Sequence, residues 1–492
     1  MKTIPYILSV LMYVIIGMLT ACSSKADEPA NFTEVGQAAS IYPDYKDITV
    51  PHNIAPLNFT VNGSFLSFVK YEVDGDSLIV GEKDNQTDIP LKKWHEFLER
   101  AQGKQVNVTV VVNQKGIYVA YKPFSFHVSA DPIDGYLAYR LIEPGYAIWN
   151  QMGIYQRNLT NFEETPIIEN KVTKGNCVNC HSFCERNPEH YLFHMRSTLG
   201  GTVFVNGDSI DFVNTQAKET ISPLVYPYWH PSGDYVAFST NKTSQGFHPT
   251  QRVEVYDLAS DVVVYQIKEH MIISSSRLAS KDSYETFPAF SPDGKSLYFC
   301  TAQAKSMPDS IQSLKYNLCR VSFDEELGCF GESIDTLFNA EREDMSFSFP
   351  RISPDGHFLL GTVSGYGTFP IWHKDADLYL INLRTGRGEY AVPANSEDTE
   401  SYHSWSSNGR WVVFSSRRGD GLYTRPYIVH VSSNGTFGKP FLLPQEDIGY
   451  YDELLKSYNI PEFITGKVNN KSFFIRHMAD NGEKKVSFRK VD

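Results

Sequence analysis

Tyr226-Pro227-Tyr228-Trp229-His230-Pro231-Ser232-Gly233 returns as Phe287-Pro288-Ala289-Phe290-Ser291-Pro292-Asp293-Gly294 and as Phe349-Pro350-Arg351-Ile352-Ser353-Pro354-Asp355-Gly356. A degenerate fourth copy is Tyr402-His403-Ser404-Trp405-Ser406-Ser407-Asn408-Gly409. The repeat glycines stand at 233, 294, 356 and 409, steps of 61, 62 and 53 residues. A short apolar stretch follows each glycine, as in Tyr235-Val236-Ala237-Phe238-Ser239 and Trp411-Val412-Val413-Phe414-Ser415. Each copy therefore reads as a hairpin, with Pro-Asp-Gly or Ser-Asn-Gly as its turn, because proline presets the first turn residue and asparagine or glycine tolerates positive φ. Further strands and turns follow in several units, as at Tyr379-Leu380-Ile381-Asn382-Leu383-Arg384-Thr385-Gly386, so that each unit makes one four-stranded blade.

These Pro-Asp-containing hairpins resemble the repeats (PD40 repeats) of TolB-like and prolyl-oligopeptidase-type β-propellers. The resemblance covers residues 190 to 492 and implies a mainly β fold with a six-bladed propeller, seven blades being the alternative. One flanking blade is expected around residues 200–208 and another around Phe473-Phe474-Ile475-Arg476. Before the propeller, residues 41–135 read as a small β-sandwich-like domain. It has alternating strands over 57–82, a short helix presenting Leu91, Trp94, Phe97 and Leu98, and strands at 106–112 and 117–128. Residues 136–189 read as a connector between the two.

The chain opens with Lys2 and an apolar run from Ile4 to Leu19, then Leu19-Thr20-Ala21-Cys22, then polar residues. The run is short for a spanning helix and reads as a signal peptide over 1–21. Its end resembles the lipobox of bacterial lipoproteins, which implies lipidation of Cys22, a flexible tether over 22–40, and attachment to the outer membrane facing the periplasm or the cell surface. A net charge of −12 over 492 residues, with no basic stretch interleaved with aromatics, argues against nucleic acid as a partner.

Three of the seven cysteines crowd into Gly175-Asn176-Cys177-Val178-Asn179-Cys180-His181-Ser182-Phe183-Cys184. Cys177-Val178-Asn179-Cys180-His181 has the Cys-x-x-Cys-His spacing of c-type cytochromes. Two such thiols reach the two vinyl groups of one porphyrin edge, and the adjacent imidazole binds the iron. The expectation is one covalent haem c on Cys177 and Cys180 with His181 as iron ligand. His194 or Met195 would be the sixth ligand; on a strand these two face opposite ways. Arg140, Arg157 and Arg196 are candidate partners for the propionates. Three alternatives stay open: zinc on Cys177, Cys180, Cys184 and either His181 or His190, a redox dithiol, and a structural disulfide loop. Cys319 and Cys329 flank a hairpin turn and are a candidate disulfide. Carboxylates at Asp282, Glu285, Asp344, Glu397 and Glu400 precede the repeats and are placed to rim one mouth of the central channel, with His230 and His403 at similar repeat edges.

No Gly-x-Ser-x-Gly elbow, His-Glu-x-x-His, phosphate loop or dinucleotide fingerprint occurs, which argues against a hydrolase. The primary expectation is a lipid-anchored envelope protein that carries one haem for electron transfer with a protein partner. The alternative is a non-enzymatic propeller that binds or scaffolds, its cysteine cluster being structural. A haem peroxidase or similar oxidoreductase would need an open coordination site and a distal acid-base group.

Overall fold

The repeat turns are closed by their own residues. At Ser291 the hydroxyl donates to Asp293 at 2.6 Å, and the Gly294 amide donates to the Ser291 carbonyl. Gly233, Gly294, Gly356 and Gly409 have φ of 78°, 71°, 71° and 66°, a left-handed backbone that costs an ordinary residue about 1 kcal/mol. In a computed structural model that describes residues 32–145 and 150–491, each turn reverses the chain from an innermost strand to the next strand outward. Residues 1–21, expected as a signal peptide, and Cys22 lie outside the described residues.

Six sheets of this kind form the propeller. Their innermost strands are Cys177–Phe183, Val225–Trp229, Ser283–Phe290, Ser346–Ile352, Glu400–Trp405 and Ser457–Ile464. Five blades take their four strands in chain order. The sixth is composite: Ser457–Ile464 pairs with Tyr136–Ile142, which continues to Gly153–Asn158 and Glu164–Glu169. The ring is thus closed by hydrogen bonds between segments more than 300 residues apart. Glu483–Lys485 then runs parallel to Ser209–Asn214, and Ser487–Lys490 parallel to Met271–Ser274, covering the outer edges of the first two blades.

These elements differ from the sequence reading in two places. Residues 136–189, expected as a connector, supply three strands of the closing blade and the innermost strand of the first, so the ring begins at Tyr136 rather than at 190. Residues 200–208 do fall in a blade and include its strand Gly201–Asn206. Phe473 to Arg476, around which a last blade was expected, lie on the helix Ser472–Asn481, where Phe473 and Phe474 are exposed and Ile475 is buried.

The N-terminal domain is a mixed eight-stranded sheet packed by the helix Leu91–Arg100, whose Trp94, Phe97 and Leu98 are buried. Leu91, expected on the same face, is exposed. Part of the expected tether is also ordered, since Thr33–Ala38 pairs in parallel with Ile117–Lys122. One apolar core runs from this domain into the fifth and sixth blades, joining Trp94, Val108 and Phe126 to Trp411, Ile428 and Tyr458. Polar ties hold the same junction: the Trp411 indole donates to the Asp131 carbonyl at 3.3 Å and the Ser407 amide to Asp134 at 2.8 Å.

Candidate functional site

Every innermost strand breaks register once, at a non-glycine residue with positive φ: Cys180, Tyr226, Phe287, Phe349, Tyr402 and Ile460, all between 47° and 52°. A bulge re-aims the side chains that follow it, and such strained positions gather at functional surfaces. The six side chains border a cavity of about 30 Å³ on the propeller axis. Ring centroids lie 4.8 Å apart for Tyr226 and Phe287, 4.1 Å for Phe287 and Phe349, and 4.7 Å for Phe349 and Tyr402. The axis is therefore plugged with aromatic side chains at this level.

This register identifies Cys180-His181-Ser182-Phe183 as a blade repeat, equivalent to Tyr402-His403-Ser404-Trp405. The residue after the bulge is proline in four blades (Pro227, Pro288, Pro350 and Pro461) and histidine in the other two. Immediately beyond the plug lies a pocket of about 90 Å³. His181, His403, Arg351 and Glu462 line it, and Arg186 and Glu185 stand at its rim.

The pocket holds polar groups that the protein itself does not satisfy. His181 is 3% exposed, and neither of its ring nitrogens has a hydrogen-bond partner; the Ile460 backbone is near enough to influence the ring but outside bonding geometry. His403 Nε2 meets the Leu360 carbonyl at 2.9 Å, while its Nδ1 has no partner. Burial, aided by the charges of Arg140 and Arg351 respectively, pushes both imidazoles down to about 3, so both are neutral at physiological pH. Glu462 accepts from the Phe183 amide at 3.1 Å, and burial pushes its carboxyl up to about 7. Arg351 donates to the Pro350 carbonyl at 2.8 Å and stands over the Tyr228 ring at 5.1 Å, its acidity raised by burial.

The sequence-derived site residues divide among several surroundings, although Arg140, Arg196 and Cys180 stay near enough to Cys177 to act on its thiol. Cys177 packs in an apolar cluster with Val178, Ile168, Phe193 and Met195, Cys180 faces the axial plug, and His181 stands between plug and mouth. Cys184 belongs to a different cluster, with Leu192 and Trp229. His194 bonds Thr202 at 3.2 Å and lines a separate pocket with Arg196, while Met195 is fully buried. Cys177 lines neither of the two described cavities that His181 borders, and the one that Cys180 and His181 share is the axial one of about 30 Å³, too small for a porphyrin in the fold described. Among the described residues no three His, Cys, Asp or Glu side chains converge as a metal centre requires. The described cysteines are free thiols; Cys319 stands opposite Thr336 and Cys329 opposite Asp324, so the expected Cys319–Cys329 pair does not face across the hairpin.

Other candidates take structural places. His230 bonds Ser232 within its own turn and the Gly294 carbonyl in the turn of the next blade, and buried Glu400 pairs with Arg418 at 2.9 Å. Arg157 bonds Gln445 and the Pro444 carbonyl, far from the cysteines. Arg351 and Glu462, which complete the pocket, were missed from sequence. The signal available was the recurrence of the bulge triplet in Ile460-Pro461-Glu462 and in Cys180-His181-Ser182.

Fold and pocket together define a six-bladed propeller protein with an enclosed polar site at one mouth of its channel. No protein-family model and no curated sequence matches the chain. Among solved structures it is similar to a putative dipeptidyl aminopeptidase IV from Bacteroides ovatus, at 11% identity over 64% of this chain and 59% of that one, with a TM-score of 0.25. It is also similar to a prolyl endopeptidase (11% identity, 62% and 42% covered, TM-score 0.35) and to the β-propeller domain of the Trilobed protease from Pyrococcus furiosus (11%, 78% and 99%, 0.35). The chain thus spans 59% and 42% of the first two. Likenesses at this level carry no functional argument; the propeller rests on the six sheets themselves.

Proposed function

We propose that the chain is a binding propeller, held at the cell envelope by a lipid on Cys22, whose ligand enters the mouth lined by His181, His403, Arg351 and Glu462. One observation carries this reading: His181 is almost completely buried against the pocket, yet both its ring nitrogens lack a partner. Leaving such a group unmatched costs about 1–3 kcal/mol, a cost that a ligand able to bond it would relieve. Proline in the equivalent place of four other blades offers no polar side chain. The cysteine cluster is, in this reading, part of the blade core.

The test is a thermal-shift screen of the full chain, in detergent, against small metabolites of every charge type, beside His181→Phe. Compounds that stabilise the wild type and not the variant support the site; a screen without any variant-dependent shift overturns it. A covalently haem-bearing redox protein is the second reading, favoured by two free thiols and a histidine in Cys-x-x-Cys-His spacing. It requires Cys177–Phe183 to leave the ring, and a pyridine haemochrome spectrum after expression with a haem-attachment system decides it.

A further inference from the structure

The polar residues of the pocket are not spread around the ring. His181 stands on the first blade, Glu462 on the closing blade, His403 on the fifth and Arg351 on the fourth, an arc of four consecutive blades. The other two blades present Pro227, Tyr228 and Trp229 to the pocket and Pro288 to the axial plug below it. The site therefore has one polar wall.

Within that wall, charge is out of balance. Arg351 has only a backbone carbonyl and an aromatic face as described partners, and no described carboxylate forms an ion pair with it. Glu462 is close enough for each to influence the other, but they form no direct contact. A guanidinium held in a pocket without a counter-charge is costly, and its planar fork matches a carboxylate in two parallel charge-assisted bonds. The neutral imidazole of His181 supplies an N–H toward the same space. Nδ1 of His403 is an acceptor while the ring is neutral and becomes a donor once an anion offsets Arg351 and draws a proton onto the ring.

We propose that this mouth binds a small carboxylate ligand, its carboxylate lying between the Arg351 guanidinium and the imidazoles of His181 and His403. The proposal rests on the binding reading above and adds the ligand's chemical class. A carboxylate fits better than a phosphate dianion because the Glu462 carboxyl shares the pocket; in its protonated form it donates a hydrogen bond to one carboxylate, whereas a doubly charged group would face a second negative centre. The remainder of the ligand points outward past Arg186 and Glu185.

Titration calorimetry at pH 6 on the full chain in detergent provides the test, with acetate, succinate and glutamate as anionic probes, methylammonium as cation and glycerol as neutral control. Saturable one-to-one binding of at least one carboxylate is expected, with affinity reduced about ten- to a hundredfold in Arg351→Met and less in Arg351→Lys, consistent with loss of a charge-assisted pair. Circular dichroism establishes that each variant is folded; if Arg351→Met is not, His403→Gln, which keeps the ring's size and polarity but cannot take up a proton, must weaken the same carboxylate. Binding of glycerol or methylammonium without any carboxylate overturns the ligand class and leaves the site reading standing. Absence of binding by all probes, or carboxylate binding unchanged in folded Arg351→Met, overturns the proposal.

Discussion

His181 and His403 hold equivalent positions on the two blades that flank the closing blade, each directly after a residue with positive φ, and each is 3% exposed. They face one pocket from two sides of Glu462. The backbone at this position accommodates proline, the residue four sister blades carry, so the strand itself does not require an imidazole there.

His181→Pro and His403→Pro should consequently fold, with melting temperatures within a few degrees of the wild type, while losing ligand binding. They should also be less sensitive to acid. The native imidazoles are pushed down to about 3 and stay neutral, whereas the unfolded chain takes up their protons below about 6.5. Wild-type stability from this source therefore falls as pH drops from 6.5 towards 3, and each proline variant removes one such contribution. Urea midpoints at pH 7 and pH 5 measure the difference.

Glu462→Gln carries the opposite sign. Burial pushes this carboxyl up to about 7, so the folded chain keeps a proton that the unfolded chain releases near 4.5. Its stabilising contribution is full below pH 4.5 and lost as pH rises through 7. Relative to the wild type, the glutamine variant should gain up to about 3 kcal/mol on going from pH 4.5 to pH 8, read from urea unfolding at the two pH values. Carboxylate affinity of the wild type should decline over the upper part of the same range, as Glu462 becomes anionic in the shared pocket, and calorimetry at pH 6 and pH 8 would show it.

Native thiol labelling should modify Cys329 first among the described cysteines, because it is the one that is half-buried. Burial raises the thiols of Cys177 and Cys184, the latter to about 12, which suppresses the reactive thiolate. Mass spectrometry after a short iodoacetamide pulse, native against urea-unfolded, should find Cys177, Cys180 and Cys184 labelled only in urea.

Truncations should separate closing the ring from bracing it. Removal of residues 482–492 deletes Glu483–Lys485 and Ser487–Lys490 from two outer edges and should lower the melting temperature while leaving a folded ring. Removal of 457–492 takes away the innermost strand of the composite blade, exposes Tyr136–Ile142 on the axis, and should abolish cooperative unfolding in calorimetry.

Trp411→Ala should cost about 3–5 kcal/mol, since the ring is fully buried where the N-terminal domain meets the fifth blade and its indole also bonds Asp131. Proteolysis should then release the N-terminal domain faster than in the wild type.

Sequence alone determined the blade unit, because its turn needs proline, aspartate and glycine at fixed places and its strands need an apolar run after them, all within about ten residues. The recurrence of Tyr226-Pro227, Phe287-Pro288 and Phe349-Pro350 made the propeller legible. The first and last inner strands escaped that reading, since Cys180-His181 and Ile460-Pro461 lack the following Pro-Asp-Gly turn and the first copy carries a motif with a strong meaning of its own. The pairing of Tyr136–Ile142 with Ser457–Ile464 emerges from the folded ring alone, because backbone hydrogen bonds between distant segments leave no local pattern in either one. The same holds for the site. His181, Glu462, His403 and Arg351 lie up to 281 residues apart, from 181 to 462, and become neighbours because closing the ring brings the first or second residue after the bulge of four inner strands around one axis.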